Sequence, residues 1–160
     1  MTTYVDSSVL VAVYVPERFS KAARHAVRAV AQIPFTPIHE LEVRNAFELL
    51  VGRNLITKAE CRAILAQLDD DLDSQRLARV PLDLDGVFTR ASDLSRTYTS
   101  RYLTRSLDLL HVAAAQTMMC ATFVSADARQ LAAAKATGLK VVDIKRRAER
   151  QPRARPPDAA

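Results

Sequence analysis

The stretch TYVDSSVL, residues 3–10, decides how the fold is interpreted. A short apolar run typical of a buried strand stops at Asp6, and two serines then precede a second apolar run at 9–13, as capping residues precede a helix. The same order recurs late in the chain, where the apolar run 122–125 is followed by Asp127. The sequence therefore predicts two sites at which a buried strand passes directly into a helix, each with an aspartate at the junction.

Short apolar segments alternate with longer helical patterns along the rest of the chain. We predict strands at residues 3–6, 33–36, 77–82, 122–125 and 140–142. We predict helices at residues 9–13, 20–31, 37–51, 58–71, 84–101, 106–120 and 127–138. Because strands separated by helices form crossover units, this order indicates a parallel sheet with helices on both faces. The predicted fold class is α/β, a three-layer α/β/α arrangement with a central parallel sheet.

The length and charge of the chain indicate one domain followed by a tail. A chain of 160 residues, 49% hydrophobic and 26% charged, fits a single globular core. Residues 145–160 hold six of the 23 basic residues and two of the 18 acidic ones, so most of the net charge of +5 lies there. We predict a folded domain at 1–144 and a basic, disordered tail at 145–160. The tail would either add nonspecific phosphate affinity or be a solvated terminus without a role.

Several classes of protein are disfavoured by composition. Three glycines, Gly52, Gly86 and Gly138, are too few for a glycine-rich phosphate loop, and neither nucleotide-binding fingerprint is present. Cys61 and Cys120 lack metal-ligand spacing, so we predict reduced, packed thiols in a cytoplasmic protein. We find no apolar run of about 18 residues that would predict a membrane span and no signal-peptide pattern, and we expect no membrane partner.

Three aspartates occupy positions from which they can face one crevice. Asp6 ends the first predicted strand, Asp127 follows the fourth, and Asp108 lies in the first turn of its helix. Ligands of open parallel sheets bind beyond the carboxyl ends of the strands, so the three acids could form a site. Each could also cap a helix or complement a helix dipole, with Gln130 completing a capping box for Asp127. Taken singly, each aspartate leaves both interpretations open.

A fourth acid, Glu42, is predicted on the buried side of its helix. The residues four before, four after and seven after it are apolar, so it falls on an inward-facing stripe where an unpaired carboxylate is costly. Glu40 differs, because it lies four residues before Arg44, the favourable order for a surface ion pair. We therefore choose Glu42 over Glu40 as the functional acid and leave Glu48 at the surface.

A gathering of four carboxylates indicates a divalent cation. Carboxylates within ~4–6 Å of one another raise each other's pKa values, and a hard cation removes that conflict. Magnesium binds through a few carboxylates, keeps several waters and contacts substrate phosphates. Such a site can polarise a phosphodiester and generate hydroxide from bound water. The residues thus favour a metal-dependent phosphodiester hydrolase, without deciding between one ion and two.

Four segments resemble, in order and spacing, the motifs of the PIN-domain family. YVDSSVL at 4–10 resembles the opening motif, and LEVRNA at 41–46 resembles the second. SLDLLHVAAA at 106–115 and FVSAD at 123–127 resemble the third and fourth. Each motif alone is weak, but four in order are specific, and together they span residues 3–143. In size and motifs the chain is most similar to the VapC-type toxins of bacterial toxin–antitoxin pairs.

The resemblance implies more than the residues show by themselves. It implies an endoribonuclease that depends on magnesium or manganese, with transfer or ribosomal RNA as substrate. It also implies a cognate antitoxin that blocks the site, and a homodimer. On this resemblance Asp6 and Asp108 are the central metal ligands, and Glu42 and Asp127 complete the set directly or through water.

Ser8 and Ser125 are interpreted through the same resemblance, and His111 and Arg105 are interpreted from their positions. Ser8 and Ser125 would hydrogen-bond the carboxylates, with plain helix and turn capping as an equal alternative. His111 lies three residues after Asp108 on the same helix face. We interpret it as a packing or supporting residue, because no serine or cysteine partner suggests nucleophilic catalysis. Arg105 could contact RNA phosphates.

Two other functions remain open as alternatives. An aspartyl-phosphate phosphatase or a phosphoacceptor receiver domain also has an aspartate after the first strand. The phosphatase pattern expects a second acid where Ser8 stands, and the receiver expects paired acids where Thr2 and Thr3 stand. A second alternative is a PIN-like module that binds RNA or protein without cutting. Missing acids would indicate such a module, whereas here all four are present.

Overall fold

Five short parallel strands and the helices between them make up residues 2–150, the part of the chain that this computed structural model describes. The strands are β1 (Thr3–Val5), β2 (Ile33–Phe35), β3 (Leu77–Arg79), β4 (Thr122–Ser125) and β5 (Lys140–Asp143). The helices are α1 (Ser7–Tyr14), α2 (Ser20–Arg28), α3 (Pro37–Gly52), α4 (Lys58–Asp73), α5 (Leu84–Leu94), α6 (Ser100–Tyr102), α7 (Ser106–Thr117), α8 (Ala128–Ala136) and α9 (Ile144–Arg150). A π-helical segment, Ser95–Thr99, joins α5 to α6.

The strands form two parallel ladders that meet at a histidine. Their orders are β1-β4-β5 and β2-β3. Strands β1 and β2 lie side by side, and the His39 ring links them. Its Nε2–H donates to the Val5 carbonyl oxygen at 2.8 Å, and its Nδ1 accepts from the Thr36 amide at 3.0 Å. Burial lowers the pKa of His39 to about 3, so the ring is neutral. The predicted parallel sheet is confirmed.

Neighbouring residues along each central strand face opposite helical layers. Tyr4 of β1 and Phe123 of β4 stack at 5.5 Å and pack with α5, α7 and α8. Val5 and Val124 point to the other side and pack with α1 to α4. Burial of an aromatic ring such as Phe123, which is 0% exposed, contributes roughly 1.5–3 kcal/mol. The strand alternation therefore produces two cores and confirms the three-layer α/β/α fold.

Aspartates cap the helices that follow the two central strands. Asp6 is the N-cap of α1 and accepts from the Val9 amide at 3.1 Å. Asp127 is the N-cap of α8 and accepts from the Arg129 and Gln130 amides at 2.8 and 3.2 Å. The capping interpretation is thus confirmed for both residues. It does not compete with a functional one, because the cap bonds use Oδ1 and leave Oδ2 for other partners.

Four helices end earlier than the sequence predicts, and the physical reason is clearest for two of them. The helix predicted at 84–101 changes to a π-helix after Leu94, within a stretch rich in serine and threonine. Hydroxyls there bond the preceding turns: Thr97 Oγ1 donates to the Asp93 carbonyl at 3.0 Å, which competes with the regular helix pattern. The helix predicted at 106–120 ends at Thr117, because Met119 adopts a left-handed conformation with φ 53°.

The tail predicted from residue 145 begins instead with a helix. Helix α9 starts at Ile144, which is 1% exposed, and Ala148 packs against the core on the α2 side. Asp143 Oδ1 accepts from the Lys145 amide at 2.9 Å, as a helix cap does. The predicted disorder is therefore wrong for residues 145–150, where one buried isoleucine outweighs the basic composition. The rest of that prediction, 151–160, lies outside the described residues.

The predicted packed, unpaired thiols are confirmed. Cys61 and Cys120 are both buried and free. Within residues 2–150, no helix is both long enough and apolar enough to cross a membrane.

Candidate functional site

The four predicted acids lie around the carboxyl edge of the sheet at different depths. Asp6 follows β1 and Asp127 follows β4, the neighbouring strand. Asp108, in the first turn of α7, lines a cleft together with Glu42 of α3. The side chains of Asp108, Asp127 and Glu42 are 15%, 25% and 26% exposed, whereas Asp6 is 5% exposed. Asp6 is thus the deepest of the four.

Asp6 is a buried carboxylate that accepts hydrogen bonds from neutral groups. The Ser8 hydroxyl lies 2.8 and 3.1 Å from its two oxygens, and the Ser125 hydroxyl lies 3.1 Å from Oδ2. In the described part of the chain no arginine, lysine or histidine lies within ion-pair distance of Asp6. Burial raises its pKa. Hydrogen bonds from Val9, Ser8 and Ser125 oppose that shift without cancelling it. An anion here lacks a counter-charge.

A buried hydrogen-bond chain connects Asp6 with the acids on the neighbouring elements. The Ser125 hydroxyl lies 2.7 Å from Oε1 of Gln130 and accepts from the Asp127 amide at 3.0 Å. The Gln130 amide nitrogen donates to the Asp108 carbonyl at 3.2 Å. The Gln130 side chain, 1% exposed, therefore joins β4, α8 and α7. The capping box predicted for Gln130 is wrong, because its side chain points inward.

Two arginines, Arg105 and Arg129, lie beside the outer acids Asp108 and Asp127. Nε of Arg105 is 3.4 Å from Asp108 Oδ2, and its Nη2 is 3.8 Å from Asp127 Oδ2. Arg129 lies 3.5 Å from the same Asp127 oxygen. Desolvation tends to raise the pKa of Asp127, but hydrogen bonds from the Gln130 and Arg129 amides, together with the Arg129 guanidinium, lower it overall. Both arginines are largely exposed, at 69% and 48%, so they can turn toward solvent or phosphate.

Glu42 is held by two side chains from other elements. The Ser7 hydroxyl donates to its Oε2 at 2.9 Å, and Nε2 of His111 contacts the same oxygen. Desolvation tends to raise the pKa of Glu42, but the bonds from His111 and Ser7 and the charge of Arg105 lower it overall. Glu42 therefore stays ionised at neutral pH and faces the cleft with a fixed orientation.

The donor set fits a hydrated magnesium or manganese ion. All four acids offer oxygen, the ligand that hard divalent cations prefer, and the buried Asp6 lacks a counter-charge. Among residues 2–150, however, no three His, Cys, Asp or Glu side chains are close enough to hold an ion by themselves. The acids thus share one edge without the tight convergence that the sequence predicts. Since magnesium keeps several waters, contacts through water suit this spacing.

Other predicted contacts are present but lie outside the site. Glu40 pairs with Arg44 at 2.5 Å, as predicted, and also with Arg79 at 2.7 Å. Glu48 is exposed on α3, as predicted. Sequence reasoning missed Ser7 as a partner of Glu42. Its only signal was its place beside Asp6, where it was interpreted as a cap.

Known structures share this fold at low sequence identity. FitAcB from Neisseria gonorrhoeae is 14% identical, with a TM-score of 0.66 over 90% of this chain and 99% of that one. VapC20 from Mycobacterium tuberculosis, described as a Sarcin-Ricin loop cleaving toxin, is 14% identical, with a TM-score of 0.65 over 89% and 99%. VapBC2 from Rickettsia felis is 15% identical, with a TM-score of 0.63 over 89% and 98%. Identities this low establish the fold alone.

Sequence comparison adds the family. No protein with curated annotation is significantly similar to the chain. The family model described as PIN domain matches residues 3–142, a range that covers most of the chain and contains the four acids. The motif resemblance is thereby confirmed. The chain belongs to the PIN-domain family.

Proposed function

We propose that this chain is a magnesium- or manganese-dependent endoribonuclease that cleaves cellular RNA of the transfer or ribosomal class. The observation that carries the proposal is Asp6, a buried carboxylate with no cationic partner among residues 2–150, at a sheet edge that three more acids share. When bound, a divalent ion would supply the missing charge, together with Lewis-acid activation of water and of the phosphodiester. The RNA substrate is supported by the similar fold of VapC20, which is described as cleaving the Sarcin-Ricin loop.

Each side chain has a part that its contacts support. Asp6 and Asp108 would hold the ion, with Glu42 and Asp127 contacting it directly or through water. The hydroxyls of Ser8 and Ser125, at 2.8 and 3.1 Å from the Asp6 carboxylate oxygens, would hold that carboxylate in place as supporting residues.

The arginines supply a path for the substrate backbone. Arg105 and Arg129 are exposed and lie beside the outer acids. When an ion occupies the acids, their guanidinium groups become available to bind phosphate oxygens, which they recognise in a bidentate manner. Binding of the ion and binding of RNA would then support each other.

We further propose a cognate antitoxin as partner, a homodimeric state and a cytoplasmic site of action, where the cellular RNA substrates occur. An exposed apolar groove between α3, α5 and α7 adjoins Glu42, and surfaces of this kind mark protein contacts. Five of its apolar side chains are at least 45% exposed: Leu41, Leu49, Leu84, Phe88 and Leu107. Co-purification with the product of the adjacent reading frame tests the antitoxin.

Sedimentation of the purified chain tests the dimer, and a monomer at all concentrations would contradict it.

The nuclease proposal is tested with end-labelled transfer and ribosomal RNA, with magnesium or with EDTA. We expect cleavage with magnesium alone. In Asp108→Asn the rate should fall by more than the ~10–100-fold typical of outer ligand partners, whereas the matched control Asp70→Asn, an exposed acid of α4, keeps it. Wild-type rates in Asp108→Asn would refute the assignment. RNA that is bound but uncut with either metal would favour the non-cleaving module instead. Sequencing the RNA ends would then identify the target.

A further inference from the structure

A buried chain of three side chains connects β1 with the carboxylate of Glu42. The Tyr4 hydroxyl lies 2.7 Å from Nδ1 of His111, and Nε2 of His111 contacts Glu42 Oε2. Ser7 reaches the same oxygen and also lies 3.1 Å from Nε2. Tyr4 is 0% exposed and His111 is 2% exposed, so solvent does not satisfy these groups.

The hydrogen-bond partners of Tyr4 and His111 determine which of their atoms carry hydrogen. A ring nitrogen that faces a carboxylate needs a hydrogen, so Nε2 of His111 is the donor to Glu42. Burial raises the pKa of the Tyr4 hydroxyl, which therefore stays protonated. Its hydrogen points at Nδ1, the acceptor with which it is bonded. Every member of the chain is then satisfied by a neutral His111 ring with hydrogen on Nε2.

We infer that His111 is a positioning residue for Glu42, and that Tyr4 orients the His111 ring for this purpose. Glu42 lies on the surface of α3 and is 26% exposed, so its flexible side chain has several rotamers open to it. Two donors on one oxygen select the rotamer that faces the cleft shared with Asp108. The inference rests on the proposed function in so far as Glu42 contacts the ion.

His39 provides an internal comparison, because it is equally buried and yet bonds no acid. Its ring lies 5.1 Å from that of His111, and its partners are the Val5 carbonyl and Thr36. Both rings should therefore carry hydrogen on Nε2, but a signal that responds to the site is expected from His111 alone.

The first experiment is nitrogen NMR of histidine-labelled, metal-free protein. We expect His111 as a neutral ring with hydrogen on Nε2, assigned by comparison with His111→Gln, and we expect magnesium to shift its signals but not those of His39. Hydrogen on Nδ1 alone, or a ring that ignores magnesium while the ion binds, would overturn the inference.

The second experiment measures manganese affinity by electron paramagnetic resonance and cleavage rate in parallel. His111→Leu should weaken manganese binding ~10–100-fold, the usual effect of removing a partner behind a metal ligand. His111→Gln should restore most of it, because its amide can donate to Glu42. Tyr4→Phe, which keeps the ring stacked on Phe123, should give an intermediate loss. The control is His25→Gln, at an exposed position on α2.

The outcomes separate this inference from the nuclease proposal. A folded His111→Leu protein that binds manganese like the wild type overturns the positioning role, whatever the cleavage rate. If His111→Leu weakens manganese binding but the wild-type protein cuts no RNA, the nuclease proposal is refuted and the positioning role is supported.

Discussion

Replacing Asp6 with asparagine should stabilise the metal-free protein while abolishing its activity. The carboxamide has the shape of the carboxylate, and asparagine is an equally good N-cap for α1. Its oxygen can accept from Val9 and Ser8 as the carboxylate does. Its nitrogen can donate to the Ser125 hydroxyl, whose own hydrogen then goes to Gln130 at 2.7 Å. The substitution thus removes a buried charge without leaving a polar atom unpaired.

The size of the effect follows from what surrounds the charge. A buried ionised group that has hydrogen bonds but no counter-ion keeps part of its desolvation cost, and we expect a gain of about 1–2 kcal/mol in the free energy of unfolding. For a chain of 160 residues, each kcal/mol shifts the melting temperature by roughly 2–4 °C. Asp6→Asn should therefore melt roughly 2–8 °C above the wild type in EDTA.

The pH dependence has a definite sign. Burial raises the pKa of Asp6, so the folded protein binds this proton more tightly than the unfolded chain does. The stability due to the protonated acid is complete below the ordinary carboxyl pKa and is lost as pH rises through the raised one. The advantage of Asp6→Asn should thus be small near pH ~4 and largest at neutral pH.

Thermal unfolding of Asp6→Asn and of the wild type, with and without magnesium, tests this prediction. At about 100 times its dissociation constant, a bound ion stabilises by about 2.7 kcal/mol, so magnesium should reverse the order of the two proteins. The matched control is Asp83→Asn, because Asp83 is also an N-cap but is exposed, and it should change stability by less than ~0.5 kcal/mol. An Asp6→Asn protein less stable than the wild type in EDTA at neutral pH would refute the reasoning.

Four further predictions concern the same site and its support. Glu42→Gln should weaken manganese binding in a calorimetric titration, while Glu48→Gln on the same helix leaves it unchanged; equal affinities would contradict the assignment of Glu42. Arg105→Ala should raise manganese affinity up to ~5-fold, since exposed ion pairs contribute ~0.2–1 kcal/mol, yet increase the KM for RNA; unchanged values of both would exclude a role for this arginine. Phe123→Ala, in the fully buried core, should cost ~3–5 kcal/mol in urea unfolding, and a cost below ~1 kcal/mol would argue against the stacked core. Finally, manganese affinity should fall on acidification, because protons compete for the same oxygens and Asp6 has a raised pKa; an affinity that is flat between pH ~5 and ~7.5 would contradict this.

The features predicted well from sequence are those that depend on residues close together in the chain. A strand that ends in an aspartate and passes into a helix needs only a few adjacent residues, and Asp6 and Asp127 were found from that pattern. The spacing of Arg44 correctly predicted the ion pair of Glu40. The buried position predicted for Glu42 is wrong, because the apolar stripe around it borders an exposed groove and its side chain is 26% exposed. The local relation of Arg105 to Asp108, three residues apart, was also visible in principle, but an exposed arginine before a helix has many roles.

The features that could not be predicted depend on contacts between distant residues. Ser7 meets Glu42 across 35 positions and His111 meets Glu42 across 69, so no spacing rule reveals them. Gln130 fits a capping pattern by sequence, and only the packing of α8 against α7 turns its side chain inward. Helix α9 was hidden for a similar reason, because its burial depends on the place that α2 offers to Ile144.

The link between the two ladders of the sheet depends on a ring and not on a peptide group. Any residue except proline can supply a main-chain hydrogen bond, but the link at His39 needs one nitrogen that accepts and another that donates at a fixed separation. A single substitution of His39 can therefore remove this link, whereas the main-chain hydrogen bonds that join strands in most sheets survive substitution. Without the ring, the unit formed by β2 and β3 would be held against β1 by core packing through Ile33, Phe35 and Leu77, and the helix that carries Glu42 would be aligned less precisely.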